Sequence, residues 1–232
     1  IVDQFAPPAR EILNFFSESY TMIHPRFMLC ILVMCPAVIV LGGDIKDSLS
    51  TEKFENRTAE RGDWSFQEGI ASVVSDPELY KKYTNHGPIL KWETNCSQGT
   101  TAFDMKPTDC QRVVFTLNGD GHVFRISLMD PEKAMNSFQK KSKSRMIAWA
   151  EKSSKANKGE SFQLDGFPAL GELNNKWSHV SVAVREKTAS ITIGDFQADI
   201  THEAMQRDKK QITISFASGS FQLRNFTFQE NK

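Results

Sequence analysis

The sequence has little tyrosine, little cysteine and no net charge. Three Tyr residues stand against 17 Phe, and 28 basic groups balance 28 acidic ones, so the formal net charge is +0. A balanced charge excludes the global positive field with which many proteins attract nucleic acid. The excess of Phe indicates buried aromatic side chains without hydrogen-bonding groups, which suits a β-sandwich core. Hydrophobic content of 40% and charged content of 24% exclude wholesale disorder.

The sequence motifs of several enzyme classes are also missing. There is no Gly-x-Ser-x-Gly elbow, no P-loop and no dinucleotide fingerprint. The segment His202-Glu203-Ala-Met-Gln206 approaches the zinc motif His-Glu-x-x-His, but Gln206 replaces the second imidazole. We interpret this segment as an exposed turn or a short helix. An enzymatic function is therefore less favoured than a binding function.

A long apolar run is also lacking, because Phe27–Leu41 has fifteen residues and Pro36 interrupts it. This is shorter than the ~20 residues that a helix needs to cross a bilayer. A basic residue, Arg26, precedes the run and small residues end it, so residues 22–43 are predicted to be a cleaved signal peptide. The alternative is an uncleaved anchor or a buried helix. After cleavage we expect a secreted protein without a stable membrane span.

Two further segments lie on either side of residues 22–43. Residues 1–21 have no initiator Met, and one interpretation is an untranslated upstream segment with Met22 or Met28 as the start. Residues 44–63 are charged and show no apolar periodicity, so they are predicted to form a linker or N-terminal arm. The folded domain is then predicted to span residues 64–232.

Cysteine usage and glycosylation sequons agree with secretion. Cys30 and Cys35 lie in the apolar run, which leaves Cys96 and Cys110 as an even pair. In an oxidising compartment we expect one disulfide between them, worth about 3 kcal/mol, and the alternative is two free buried thiols. Three Asn-x-Ser/Thr triplets predict N-glycosylation; they begin at Asn56, Asn95 and Asn225.

Alternating apolar and polar residues predict most of the secondary structure as β-strand. The predicted strands are 64–66, 70–74, 89–94, 101–105, 111–117, 122–128, 145–150, 162–164, 177–184, 189–193, 211–216 and 221–228. In the last strand the apolar phase slips between Leu223 and Phe226. Asp-Pro-Glu predicts a short helix at 77–83, and its repeat at Asp130 predicts a second one. These elements indicate an all-β, two-layer antiparallel sandwich with one or two short helices.

Two C-terminal stretches carry a family resemblance. Residues 174–185 (NNKWSHVSVAVR) followed by 191–195 (ITIGD) resemble a strand pair of laminin-G-like and pentraxin-type domains, members of the concanavalin A-like lectin class. Residues 219–226 (GSFQLRNF) are similar to the last strand of those domains. The resemblance implies a jelly-roll fold and a binding function. Neither the galectin motifs nor the Glu-x-Asp-x-Glu strand of jelly-roll glycosidases is present.

The resemblance also implies that calcium is a candidate ligand, because such domains often hold the ion at the rim of the sandwich. Asp120 and Asp195 are the candidate metal ligands, and Asp130 and Asp165 are further loop carboxylates. The alternative is ordinary turn chemistry, since Asp beside Gly is common in tight turns.

A basic segment offers a second kind of binding site. Residues 133–158 contain eight Lys and Arg against one acidic residue, Glu151. The candidate ligand-binding residues are Lys140, Lys141, Lys143, Arg145 and Trp149. They are predicted to hold a sulphated glycan or an anionic headgroup, and the alternative is a solvated helix and loop. Trp149 is expected to be exposed and to offer a stacking face to a sugar ring, whereas Trp177 is expected in the core.

These observations favour a secreted, non-enzymatic recognition module that binds a carbohydrate or a sulphated glycan. A structural or signalling ectodomain with an extracellular protein partner is the first alternative. An enzyme that degrades polysaccharides is the second.

Overall fold

The computed structural model describes residues 43–84, 86–133 and 142–231, all within the compact unit Ile39–Lys232. Residues 1–21, the predicted signal peptide up to residue 42, Lys140 and Lys141 lie outside the described residues. The strands in chain order are β1 (Ile45–Lys46), β2 (Arg57–Glu60), β3 (Ser65–Gln67), β4 (Ile70–Val74), β5 (Ile89–Cys96), β6 (Gly99–Thr108), β7 (Arg112–Gly119), β8 (Gly121–Met129), β9 (Arg145–Ala148), β10 (Glu160–Phe162), β11 (Ser178–Arg185), β12 (Thr188–Ile193), β13 (Phe196–Thr201), β14 (Lys209–Ala217) and β15 (Ser220–Glu230).

These strands form two antiparallel sheets. The eight-stranded sheet has the order β13-β12-β11-β6-β15-β4-β3, with β1 paired to β15, and the seven-stranded sheet has the order β10-β9-β8-β7-β14-β5-β2. Along β6, β11 and β14, buried and more exposed residues alternate, which is the pattern of a strand with one face in the core. The predicted all-β, two-layer sandwich is confirmed.

Aromatic side chains join the two sheets across the core. Trp92 of β5 stacks on Phe226 of β15 with ring centroids 3.7 Å apart, and Phe103 of β6 lies 6.0 Å from Phe115 of β7. Trp92, Phe103 and Phe226 are almost completely buried. Stacked rings of this size bury large apolar areas, so they contribute much of the free energy that holds the sheets together.

Helical structure is sparse in the described residues. Helix α1 spans Pro77–Lys82, and the Asp76 carboxylate accepts from the backbone N–H groups of Glu78 and Leu79, which confirms the first predicted helix. At the second Asp-Pro-Glu the described residues form only a 3₁₀ turn, Pro131–Lys133. Two more 3₁₀ turns span Leu170–Leu173 and Glu203–Gln206. Among these described elements, none has the length and apolar character of a membrane-spanning helix.

Residues 44–63 are not a linker, which corrects the prediction for this segment. β1 pairs with β15 in one sheet, β2 pairs with β5 in the other, and Leu49 is fully buried between them. The strands are only two and four residues long, too short to show a periodicity in the sequence. The charged composition misled the prediction because two of the charges are themselves buried.

Those two charges are Asp47 and Arg57, whose side chains are each only 1% exposed. Arg57 Nη1 donates to both carboxylate oxygens of Asp47 at 2.8 Å. Asp47 also accepts from Trp92 Nε1 at 2.9 Å and from the Leu49 backbone N–H at 2.9 Å. The Arg57 guanidinium lies 3.8 Å from the centre of the Phe66 ring. The ion pair therefore ties the N-terminal segment to β5 and β3.

The predicted disulfide between Cys96 and Cys110 is wrong in this fold. Both cysteines are free and buried. Cys96 pairs with Lys209 at one end of β14, whereas Gln111, next to Cys110, bonds to Ala217 at the other end. Eight residues of strand separate the two sites by about 26 Å, and a disulfide requires Cα atoms within about 7 Å. Burial raises the pKa of Cys96 to about 11 and that of Cys110 to about 12.

The predicted phase slip in the last strand is confirmed as a bulge. The pairing of β15 with β6 shifts register between Arg224 and Thr227, and Asn225 has φ 56°. Because of the bulge, the side chains of both Leu223 and Phe226 point into the core. Strand β13 was also not predicted, because its residues alternate too weakly in hydrophobicity to be recognised.

Replacing Asp47 with Ala should destabilise the protein by about 3–5 kcal/mol, because Arg57 would be left buried without its counter-charge. Urea denaturation followed by far-UV circular dichroism measures the change. Glu78→Gln is the matched control, since it breaks the exposed Glu78–Lys81 pair and should change stability by less than about 0.5 kcal/mol. Equal effects of the two substitutions would contradict the proposed role of the buried pair.

Peptide mapping without reduction should recover the peptides that contain Cys96 and Cys110 as separate, unlinked species. The two cysteines lie at opposite ends of β14, and this distance is too long for a disulfide between them. The thiols should react with a maleimide only after denaturation, because both are buried. A peptide in which Cys96 is joined to Cys110 would refute the strand pairing described above.

Candidate functional site

The outer surface of the seven-stranded sheet carries a cluster of arginine side chains beside one histidine. Alternation along β7, β8 and β9 buries Phe115, Ile126 and Met146 in the core and turns their neighbours outward. We call the outward group formed by Arg112, Arg125, Arg145 and His122 the basic face. None of the four central strands β7, β8, β9 and β14 contains an Asp or Glu residue.

The strand register arranges the three arginines as a triangle. Ser127 of β8 is paired with Val114 of β7 and with Arg145 of β9, so these three lie in one row across the sheet. Arg125 lies two residues from Ser127 and is a diagonal neighbour of Arg145, about 7–8 Å away. Arg112 lies two residues before Val114 on β7, so it is on the other side of this row from Arg125. The triangle therefore surrounds Val114 and Ser127, which are both half-buried.

The three guanidinium groups have no carboxylate partner among the described residues. Burial, together with the charges of Arg112 and Arg145, lowers the pKa of Arg125 to about 10. Arg125 Nε is buried and has no hydrogen-bond partner in the described part of the chain. Cations held together without a counter-charge oppose folding, and such arrangements are concentrated at binding sites for anions.

A hydrogen-bonded chain orients the central arginine. His122 Nδ1 lies 2.7 Å from Asn118 Oδ1, and Arg125 Nη2 lies 2.6 Å from His122 Nε2. Arginine has only donors, so His122 Nε2 accepts and Nδ1–H donates to Asn118, which makes this the neutral Nδ1–H tautomer. Burial and the charge of Arg125 lower the pKa of His122 to about 4, in agreement with a neutral ring at pH 7.

Trp149 does not offer the exposed stacking surface that the sequence predicted. It is 4% exposed, its ring lies 5.4 Å from the Arg125 guanidinium, and its centroid is 5.4 Å from that of His122. Gly159 lies directly against its indole, so no room remains for a sugar on that side. Trp149 therefore supports the basic face from beneath and does not itself reach a ligand.

Arg207 defines one end of the basic face by holding the neighbouring loop. Its guanidinium donates to the backbone carbonyls of Asp120, His122, Trp149 and Glu151 at 2.7–3.0 Å. Four carbonyls around one guanidinium join the β7–β8 hairpin to the segment that follows β9. The hairpin that carries His122 is thus held rigidly in place.

The two proposed calcium ligands do not come together. Asp120 lies at the β7–β8 turn, next to the strand end that contains Lys209, whereas Asp195 lies in the β12–β13 turn at the opposite end of the sandwich. Asp120 is paired with Lys152 at 2.7 Å, and this hydrogen bond lowers the pKa of the carboxyl. In the described ranges no three His, Cys, Asp or Glu side chains are grouped as a metal site. Asp120 and Asp195 therefore do not share one site, and calcium binding at either residue stays a prediction.

The structure separates the predicted basic segment into distinct parts. Arg145 is exposed on β9 and belongs to the basic face, and Lys143 is exposed two residues before it. Lys140 and Lys141 fall outside the described residues. Sequence reasoning missed Arg112, Arg125 and His122, although the alternation of the predicted strands already placed Arg112 and Arg125 opposite the apolar face of their strands.

The three sequons and Trp177 lie elsewhere. Asn95 and Asn225 are exposed and Asn56 is half-buried, and Asn225 Nδ2 donates to Asp104 at 2.7 Å. Their glycosylation stays a prediction.

Trp177 is only half-buried, with the Arg224 guanidinium 4.2 Å from its ring centre, so it borders the core and is not part of it.

No protein-family model matches the chain, and no curated protein sequence matches it. Several solved structures share its fold. A Bacillus licheniformis β-glucanase is 12% identical, with a TM-score of 0.56 over 82% of this chain and 99% of the glucanase. The CBM2 module of the evolved Dit protein of Lactobacillus casei BL23 phage J-1 is 9% identical, with a TM-score of 0.55 over 82% of this chain and 96% of the module. A sialidase is 9% identical with a TM-score of 0.55, and the match spans 19% of that protein.

These likenesses establish the fold alone. The fold is a jelly-roll β-sandwich like that of the β-glucanase. This confirms the jelly roll implied by the strand resemblance.

Lowering the pH should destabilise the protein partly through His122. Between pH 6.5 and about 4 the unfolded chain binds a proton at this residue that the folded chain does not, so the free energy of unfolding falls as pH falls. We expect a contribution of about 1–2 kcal/mol over this window, allowing for partial solvent screening.

The measurement is urea denaturation at a series of pH values for the native protein and for His122→Gln, which should lose that part of the pH dependence. His86→Gln, at an exposed histidine, should retain the native pH dependence. Parallel curves for the native protein and His122→Gln would refute the buried, neutral state of His122.

Proposed function

We propose that this protein is a non-enzymatic recognition module that binds an anionic carbohydrate on the basic face. The observation that carries the proposal is the triangle of Arg112, Arg125 and Arg145, which has no carboxylate partner among the described residues. Guanidinium groups bind carboxylate and sulphate oxygens through paired hydrogen bonds. Uronate and sulphated sugars carry these groups, and the half-buried Ser127 and Val114 between the arginines provide both polar and apolar contacts.

The fold supports a carbohydrate ligand. Similar solved structures bear the names β-glucanase, sialidase and CBM2 module. A rigid antiparallel sheet with an outward polar surface is able to hold several sugars at defined positions. The secreted location inferred from residues 22–43 and the three sequons is part of the same proposal, because extracellular proteins meet acidic glycans.

Binding is favoured over glycoside hydrolysis at this surface. Hydrolysis by the common mechanism requires two carboxylates about 5–10 Å apart on either side of the scissile bond. The structure describes every residue of the strands that carry the basic face, β7, β8 and β9. These strands contain no Asp or Glu.

Arg145→Gln and Arg112→Gln should each weaken binding to heparin and to uronate-containing glycans about tenfold, the equivalent of one lost charged hydrogen bond. Arg185→Gln is the matched control, because Arg185 is an exposed arginine on β11 in the other sheet. A glycan array and isothermal titration calorimetry measure the affinities. Neither basic-face substitution should lower the melting temperature, because each relieves repulsion among the arginines.

Two results would overturn the proposal. One is a folded protein that binds no acidic glycan on the array. The other is a loss of affinity in Arg185→Gln as large as that in Arg145→Gln, which would indicate non-specific attraction to any positive charge. An intact affinity for a co-purifying protein in all three variants would instead support a protein partner.

A further inference from the structure

A groove of about 580 Å³ lies beside the basic face, at the end of the sheet where β9 begins. On one side it is lined by Met129, Lys143 and Ser144, and on the other by Gln163, Leu164, Asp165 and Phe167. None of the contacts described for the basic face uses these residues. The groove is partly open to solvent, so a ligand can enter it.

The strand pairing makes the groove continuous with the basic face. Ser161 is paired with Ile147 and Phe162 with Met146. Continuing this register by one residue places Gln163 opposite Arg145, on the same outward side of the sheet. Lys143, two residues before Arg145, is exposed and also lines the groove. A ligand lying over Arg145 therefore reaches the groove without changing direction.

The chemistry of the groove differs from that of the basic face. Met129, Leu164 and Phe167 give it an apolar floor, and Gln163, Ser144 and Asp165 give it a polar rim. Lys143 and Asp165 both line it, yet they form no ion pair with each other or with another described residue. An apolar floor fits the C–H face of a sugar ring, and the rim offers hydrogen bonds to hydroxyl groups. Because the opposite charges of Lys143 and Asp165 give the groove no net charge, an uncharged sugar fits this position best.

We infer that this groove is a second subsite, which holds an uncharged sugar of the same chain whose acidic sugar lies on the basic face. The inference rests on the proposed function and specifies its ligand further: an oligosaccharide in which acidic and uncharged sugars follow one another. A single acidic sugar would occupy only the arginine triangle. The longer chain would gain affinity from the groove.

The test uses the full protein with a uronate monosaccharide, and with the disaccharide and the tetrasaccharide in which uronate and N-acetylhexosamine alternate. Calorimetry should show affinity rising about tenfold from the monosaccharide to the disaccharide, which is the first ligand to place an uncharged sugar in the groove. Gln163→Trp should abolish this gain by filling the groove, while leaving the affinity for the monosaccharide unchanged. Gln197→Trp is the matched control, because Gln197 is an exposed glutamine on β13 in the other sheet.

Gln163→Ala provides a second variant without added bulk and should reduce the gain from chain length by a smaller factor. If Gln163→Trp keeps the full gain while Arg145→Gln still weakens binding, the groove is not a subsite and the proposed function stands. If the native protein binds neither the monosaccharide nor the longer chains, the proposed function fails and the inference fails with it. The inference would also be falsified if all three chain lengths bound with equal affinity.

Discussion

The buried ion pair of Asp47 and Arg57 is the constraint on which the rest of the sandwich depends. A carboxylate and a guanidinium enclosed by the core are tolerated only if nearly every donor and acceptor is satisfied. Asp47 meets this requirement with Arg57, Trp92 and the Leu49 backbone. Trp92 in turn stacks on Phe226 of the other sheet. One polar network thus sets the position of the N-terminal segment, of β5 and, through ring stacking, of β15.

The position of β5 has consequences for the binding surface. β14 pairs with β5 on one side and with β7 on the other, so the register of the central strands follows from that of β5. The same registers bring Arg112, Arg125 and Arg145 around Ser127. The rigid core holds these cations together in spite of their repulsion. Because the core fixes the positions of these arginines, an anionic ligand can bind the basic face without a rearrangement of the protein.

The strands and the fold class were predictable because alternation is a local property of the chain. β4, β11 and β12 were predicted to within one residue at each end. The bulge in β15 was visible as a phase slip, since Leu223 and Phe226 cannot share one face of a regular strand. Segment 44–63 escaped prediction because its burial depends on a pairing between two residues ten positions apart, each of which looks like a surface charge by itself.

The sequence by itself determined which side chains of each strand face the core and which face outward, because the side-chain direction in a strand reverses at every residue. Only the tertiary structure decided which outward side chains become neighbours. Strand register is a long-range property, and it assembled Arg112, Arg125 and Arg145 from three strands while placing Cys96 and Cys110 at opposite ends of β14. It also buried Trp149 beneath the basic face, where the sequence predicted exposure. The register between strands therefore determines the binding surface, whereas the alternation of apolar and polar residues within each strand determines the sandwich.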